Sequence, residues 1–408
     1  MLGALLIYEK IVRVTLKNKT PLILSIVLIA MNLRLPITAI PPLLPALEHA
    51  TGLSNGSAGL LTTIPLLAFA GASPIITKLG NRFGNERVIT GFYGLLVIGS
   101  LLRSQEGWPM LILGTILIGV GIDSGNVLLP AIIKDRLPMK PALGLSTYLT
   151  AMLVVSSLGT GVTGFVVAKT SLHTTLFSLF LITFLSLFGC LLLWHTKATP
   201  HLVRKPNREL KASLQSVWRT KLGWLITAFY GLQALIYYSL ITWLPAILTH
   251  QGYDNITASL LVTVLQVSCL VVSVITPLLA TNKRRIQVGL WLILVGLGPT
   301  VVSFLLPKPP LAISILVAIL MGIGVGLSCS LSILFFALKT KTATETAQIS
   351  GMAQSFGYLF AAFGPVCFGY LHQFTQSWFT VIALLVLLTI GQWGSGWFIE
   401  KQTYIFEK

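Results

Sequence analysis

LPALEHATGLSNGSAGLLTT, residues 44–63, and LPAILTHQGYDNITASLLVT, residues 244–263, align without a gap at an offset of 200, and nine of the twenty positions are identical. Each copy leaves one long apolar stretch, crosses a short polar loop and enters the next stretch. A repeat in the same place within two successive runs of apolar segments marks a chain of two parallel halves. Outward from the two copies, apolar stretches close to the ~20 residues that cross a ~30 Å hydrocarbon core cover 21–43, 57–78, 88–103, 109–133, 142–167 and 173–194, then 222–247, 257–280, 286–306, 310–338, 346–371 and 375–399. In lipid an unpaired backbone amide has no water to bond, so each must be helical. The expected fold is all-α and membrane-integral, with twelve transmembrane helices in two six-helix bundles. Its parts are a cytoplasmic segment 1–20, a first bundle 21–194, a cytoplasmic linker 195–221, a second bundle 222–399 and a cytoplasmic tail 400–408.

Composition agrees. The chain is 54% hydrophobic and 10% charged, with mean hydropathy +0.86, whereas a soluble domain spends about a quarter of its residues on charges. A net charge of +17 raises the question of a nucleic-acid partner, and the placement of the charges answers it. With the N-terminus in the cytoplasm, 24 of the 28 Lys and Arg residues fall on inner segments, Arg103, Lys169 and Lys308 fall outside, and Arg34 alone lies within a span. That asymmetry orients a membrane protein with both termini inside, and no nucleic acid is expected. The opening MLGALLIY lacks a secretory cleavage pattern and is too short to cross. Cys190, Cys269, Cys329 and Cys367 sit in spans without metal-ligand spacing, so they read as packing residues. No metal or other cofactor is expected.

Between the second and third spans, KLGNRFGNERV (78–88) resembles the cytoplasmic loop signature of the major facilitator superfamily: an acid, Arg, any residue, Gly, then basic residues. Arg82 and Gly84 match it as a conformational loop. Asn81 replaces the acid, and Asn85 and Glu86 replace the basic pair, so a charge latch built on that acid is not expected here. MNLRLPITAIPPLLP (31–45), GNVLLPAIIKD (125–135) and GLQALIYYSLITWLP (231–245) resemble the corresponding spans of the cyanate and 2-nitroimidazole transporter family within that superfamily. The resemblance implies alternating access around a cavity lined by helices one, four and seven.

Arg34 lies about thirteen residues, ~20 Å, into the first span. A charge at that depth normally faces a water-filled path, and a planar guanidinium suits a bidentate hold on a small anion. The alternative is a structural ion pair. Asp123 is the acidic residue near the middle of a span, and in the resembling family a small or apolar residue is expected there. An acid at that depth can take up and release a proton during transport; the alternative is that it only neutralises Arg34, which the helix geometry permits. Asn32, Asn126, Gln233 and Tyr237 are expected to line the cavity through the resemblance, with an interhelical hydrogen bond as the plainer reading of each. Tyr238, Trp243, Gln266, Gln354 and Tyr358 are further polar residues within spans, and Pro36, Pro41, Pro42 and Pro45 are expected to kink or break the outer end of the first helix.

The expected activity is secondary transport of a small anionic or polar solute, such as a cyanate-like anion, an organic anion or a small nitro-heterocycle, coupled to protons. The chain lacks the G-x-x-x-x-G-K-S/T phosphate loop. A proton-driven exporter of lipophilic compounds is the alternative, although the fifth span reads SSLGTGVTG from Ser156, where exporters of the superfamily usually carry a Gly-Pro motif. A membrane enzyme would need a nucleophile and base or a metal cluster at one depth, and none is visible. The expected setting is a bacterial plasma membrane, the partners being the bilayer, a small solute and protons, and the protein a monomer.

Overall fold

The computed structural model describes residues 20–52, 54–105, 107–137, 141–195, 217–279, 283–340 and 343–405. Among these every regular element is helical. Residues 1–19 and most of the expected linker, 196–216, lie outside the described residues.

The first span is interrupted. Helix α1 (Thr20–Met31) ends, residues 32–34 turn, α2 (Leu35–Thr38) follows, Pro41–Leu43 form a 3-10 turn, and α3 (Leu44–Thr51) runs to the loop. Proline has no N–H, so Pro36 cannot bond the carbonyl of Asn32, and Pro41 and Pro42 withhold two more helical donors. The break was expected at the outer end of the helix. It begins deeper, at residues 32–34, with Pro36 in the first turn of α2.

The remaining elements are α4 (Asn55–Ala58), α5 (Leu60–Phe83), α6 (Asn85–Arg103), α7 (Trp108–Arg136), α8 (Pro141–Lys169) and α9 (Leu172–His195) in the first half. The second half holds α10 (Lys221–His250), α11 (Asn255–Leu279), α12 (Lys283–Val302), α13 (Leu311–Leu338), α14 (Ala343–Thr375) and α15 (Trp378–Lys401). Among the described residues, ten spans are long and apolar enough to cross a membrane by themselves. The more polar α6 and α14 pack along α7 and α10 and complete the twelve. Burial separates centre from periphery: 89% of the most apolar window of α10 is buried, against 33% for α9. On α9, Phe177, Leu181, Phe184, Phe188 and Leu191 project outward at alternating four- and three-residue spacing, an apolar stripe made for lipid.

The sequence repeat is also a backbone repeat. Gly52 (φ 69°) and Gly252 (φ 96°) both take left-handed conformations, which glycine adopts without strain, and Asn55 and Asn255 each begin a helix. The halves meet chiefly through α5 against α14 and α8 against α11. Hydrogen bonds between them join Gly56 N to Gln373 Oε1 (3.3 Å), Thr242 to Thr62 (3.0 Å), Thr63 to the Ala362 carbonyl (2.6 Å), Asn255 to the Pro42 carbonyl (3.2 Å), and Gln266 to Ser156 (3.1 Å) and Thr160 (2.7 Å). All of these lie between mid-depth and the face opposite the chain termini. Gly161 and Gly164, within the SSLGTGVTG stretch, allow this approach, since a Cβ at Gly161 would stand 2.7 Å from Thr263 Oγ1 and one at Gly164 would collide with Ser259.

Candidate functional site

Arg34 stands at the break of the first span, as the residue before α2. Its neighbours hold it in place. Leu33 is seated against Gly125 of α7 and Leu35 against Gly159 of α8, positions where any Cβ would collide with the leucine. The carbonyl of Pro36 accepts from Arg103 Nη1 at 2.6 Å, and the same guanidinium donates to Thr115 Oγ1 at 3.3 and 3.1 Å. Arg103, expected outside, is therefore a buried side chain at 3% exposure that satisfies a carbonyl near the helix break.

Arg34 is half-buried as a residue, and its guanidinium, enclosed by the surrounding side chains, lies over the ring of Tyr237, 5.1 Å from its centroid. It forms no ion pair with Asp123 or any other described acid, so the neutralising pair considered from the sequence does not form. Around it stands an aromatic wall. Tyr237 meets Tyr238 edge-on at 5.1 Å, Tyr238 meets Tyr358 at 6.5 Å, and Tyr358 meets Tyr230 at 5.9 Å and Phe69 at 5.6 Å. Tyr148 of α8 lies within electrostatic reach of both Arg34 and Tyr358. Phenol rings beside a cation supply quadrupole attraction.

The other expected residues divide. Gln233, one turn before Tyr237 on α10, donates from Nε2 to Cys329 Sγ at 2.9 Å on the same wall. Asn126 is partly accessible on α7, on the face it shares with Gly119, which packs against Pro65 and Ala68 of α5. Asn32 points elsewhere: its amide donates to the Ile182 carbonyl of α9 at 3.4 Å, and its Oδ1 is buried without a partner. It is an interhelical contact on the far side of the break, which corrects the expectation that it lines the cavity. Trp243 and Gln266 serve the packing of the seal, through the Pro365 carbonyl at 2.8 Å and through Ser156 and Thr160. Gln354 is exposed and bonds Ser350.

Asp123 is 2% exposed and is held by Ser73 Oγ of α5, 2.9 Å from each carboxylate oxygen. At the end of α5, Gly84 turns the chain with φ 91°, and Arg82 is exposed, its guanidinium 5.1 Å from the Phe83 ring. The loop does carry a charge latch, built from other residues: Glu86 Oε1 accepts from Arg136 Nη2 at 3.0 Å and Nε at 3.2 Å. Tyr148, Ser73 and Arg136 were not singled out by the sequence. A serine or tyrosine in an apolar span carries no mark of its partner, and Glu86 stood out only as a departure from the loop signature, not as half of an ion pair.

Comparison with known proteins identifies the family and the fold. Residues 22–365 match the model of the Major Facilitator Superfamily. The chain is 38% identical to the Bacillus subtilis transporter YycB over 95% of each chain. It is 34% identical to the 2-nitroimidazole transporter of Escherichia coli over 92% of this chain and 94% of that one. With the cyanate transport protein CynX of the same organism it shares 26% identity over 67% and 71%. The solved D-xylose-proton symporter superposes with a TM-score of 0.75 at 15% identity, covering 95% of this chain and 98% of that one, a likeness of fold. With two six-helix halves sealed on one face and a family match across most of its length, the chain belongs to the Major Facilitator Superfamily of membrane transporters.

Proposed function

We propose that this transporter carries a small anionic or strongly polar solute, of the size of an organic anion or a nitro-heterocycle, with Arg34 as its anchor, and that transport is coupled to protons through Asp123. The observation that carries the reading is an arginine at mid-depth, paired with none of the described acids, whose guanidinium lies over a tyrosine ring at a helix break. An uncompensated cation within a bundle is costly unless it faces water or a ligand of opposite charge. The relatives named for 2-nitroimidazole and cyanate support a small polar cargo.

Alternating access follows from the two halves. The cross-half hydrogen bonds among the described residues lie on the face opposite Thr20 and Lys401, and the positive-inside bias puts that face outside, so this conformation is read as closed on the outer side. Moving to the other state breaks the seal from Gly56–Gln373 to Ser156–Gln266 and closes the halves on the Arg82–Gly84 side. Asp123 lies between α5 and α7 with only the neutral Ser73 hydroxyl as partner. Burying an unpaired charge is costly, so this carboxyl is suited to hold a proton while enclosed.

The test is a thermal-shift screen of purified protein against small anions, nitro-heterocycles and lipophilic cations, run on wild type and Arg34→Gln. A ligand at a hundred times its Kd stabilises by ~2.7 kcal/mol. Stabilisation by an anion in wild type alone supports the anchor; equal stabilisation of both proteins by lipophilic compounds alone overturns it in favour of an exporter. Proton coupling is tested in proteoliposomes, where Asp123→Asn is expected to lose accumulation driven by a pH gradient and to retain solute exchange. A variant that still accumulates solute removes Asp123 from the coupling path.

A further inference from the structure

Helices α11 and α13 approach closely where α13 carries glycine. A Cβ at Gly322 would stand 2.6 Å from the Cβ of Ser268, and one at Gly326 would stand 2.7 Å from the Cys269 carbonyl oxygen. Ser273 donates to the Gly326 carbonyl at 3.4 Å and Ser330 to the Ser273 carbonyl at 2.9 Å, which fixes the register of the pair. In that register Gly326 packs on the backbone of Cys269, and Cys329, three residues further along α13, comes onto the face that meets Cys269. Both are free, Cys269 at 6% exposure and Cys329 partly accessible. Two further groups face them: the Gln233 amide, donating to Cys329 Sγ at 2.9 Å, and the Arg34 guanidinium, within electrostatic reach of both sulfurs.

We propose that Cys269 and Cys329 form a dithiol site on the cavity wall that captures soft, thiophilic centres, the class that includes trivalent arsenicals and mercuric ion. Two thiols on rigid, glycine-packed helices present two soft donors at fixed separation, the donor type such centres prefer. With a trivalent arsenical bearing an As=O group, two S–H bonds and the As=O bond break, two As–S bonds form, and one water leaves with both protons. No electron changes hands, so no oxidant is needed. One thiol forms the first As–S bond and the other closes the chelate. The bound centre then ties α11 to α13 and occupies the space beside Arg34, so its capture also stops transport.

The experiment titrates the full-length protein, in a Cys190→Ser, Cys367→Ser background, with phenylarsine oxide, counting free thiols with a maleimide. One equivalent is expected to consume both thiols, with reversal by dimercaptopropanol and not by mercaptoethanol. Cys269→Ser and Cys329→Ser, checked for folding by their melting curves, are each expected to bind the reagent about 100-fold more weakly, since the second bond is an intramolecular one. Both thiols remaining free at one equivalent, or either single variant binding as tightly as the parent, overturns the proposal. The thiol count does not depend on the transported solute, so it separates this site from the anchor role of Arg34: an arsenical captured normally by Arg34→Gln leaves the dithiol standing even where the anion reading fails.

Discussion

The first and seventh spans occupy equivalent places in the two halves, and the offset of 200 residues pairs them position by position. Arg34 corresponds to Ala234, Leu35 to Leu235, Pro36 to Ile236, Ile37 to Tyr237, and Pro41 and Pro42 to Ile241 and Thr242. Both spans end in Leu-Pro-Ala and both loops turn at a left-handed glycine. Yet one is broken at residues 32–34, and the other is a single 30-residue helix, Lys221–His250. Pro245 does not break it, because a lone proline near the outer end removes one donor, whereas Pro36, Pro41 and Pro42 remove three within seven residues. The comparison teaches that near-equal halves divide the work. The broken span brings a cation to a helix break, and the intact span meets it with the rings of Tyr237 and Tyr238.

Exchanging each residue for its repeat partner tests that division. Arg34→Ala gives the first span the side chain of the seventh and is expected to have the largest effect. Truncating one partner of a desolvated charged contact costs about 2 to 5 kcal/mol, at least ~30-fold in affinity, read as solute binding by calorimetry. Adding Ala234→Arg is expected not to restore binding, because α10 is continuous there and its cation would meet no helix break. Restored binding in the double variant would mean that the halves are interchangeable and that the break has no part in recognition.

Tyr237→Ile makes the converse exchange and is expected to have an intermediate effect. The ring beneath Arg34 contributes ~0.5 to 2 kcal/mol as a cation–π contact, so affinity should fall by about 2- to 30-fold. Tyr237→Phe, which keeps the ring, should stay close to wild type. If Phe proves as weak as Ile, the hydroxyl is the working group and the solute bonds it directly.

The same pairing shows what was legible in advance. Hydropathy and charge placement gave the spans and the proposed orientation because lipid imposes length and helicity on each segment separately. Arg34 stood out because a lone cation among apolar residues is costly wherever it points. Direction was legible only in part. Asn32 and Arg34 are two residues apart in one span, about 200° around a regular helix, so the periodicity already set them on opposite sides, and the structure has Asn32 on α9 and Arg34 over Tyr237 of α10. Asp123 was weighed against Arg34 from depth alone, while its partner, Ser73, is an ordinary serine whose role arises from the packing of α5 on α7. Tyr148 joins the site only because Gly159 and Leu35 set how α8 lies against α2.

Asn32→Leu, the exchange for Leu232, is expected to have the smallest effect and bears most directly on where the broken span turns. The Asn32 amide makes one long bond, 3.4 Å, to the Ile182 carbonyl, and interhelical bonds in membranes average ~0.6 kcal/mol. Its Oδ1 is enclosed without a donor, and an unsatisfied buried acceptor costs ~1 to 3 kcal/mol. Removing both together with a side chain of similar volume should leave the protein as stable or slightly more stable, by under ~2 kcal/mol, with solute affinity unchanged. A melting curve and a binding isotherm on the one variant separate the outcomes. A large loss of affinity with stability unchanged would bring Asn32 back to the cavity and move the turn of the first span by about one residue, so that Arg34 would no longer face Tyr237 in the binding state.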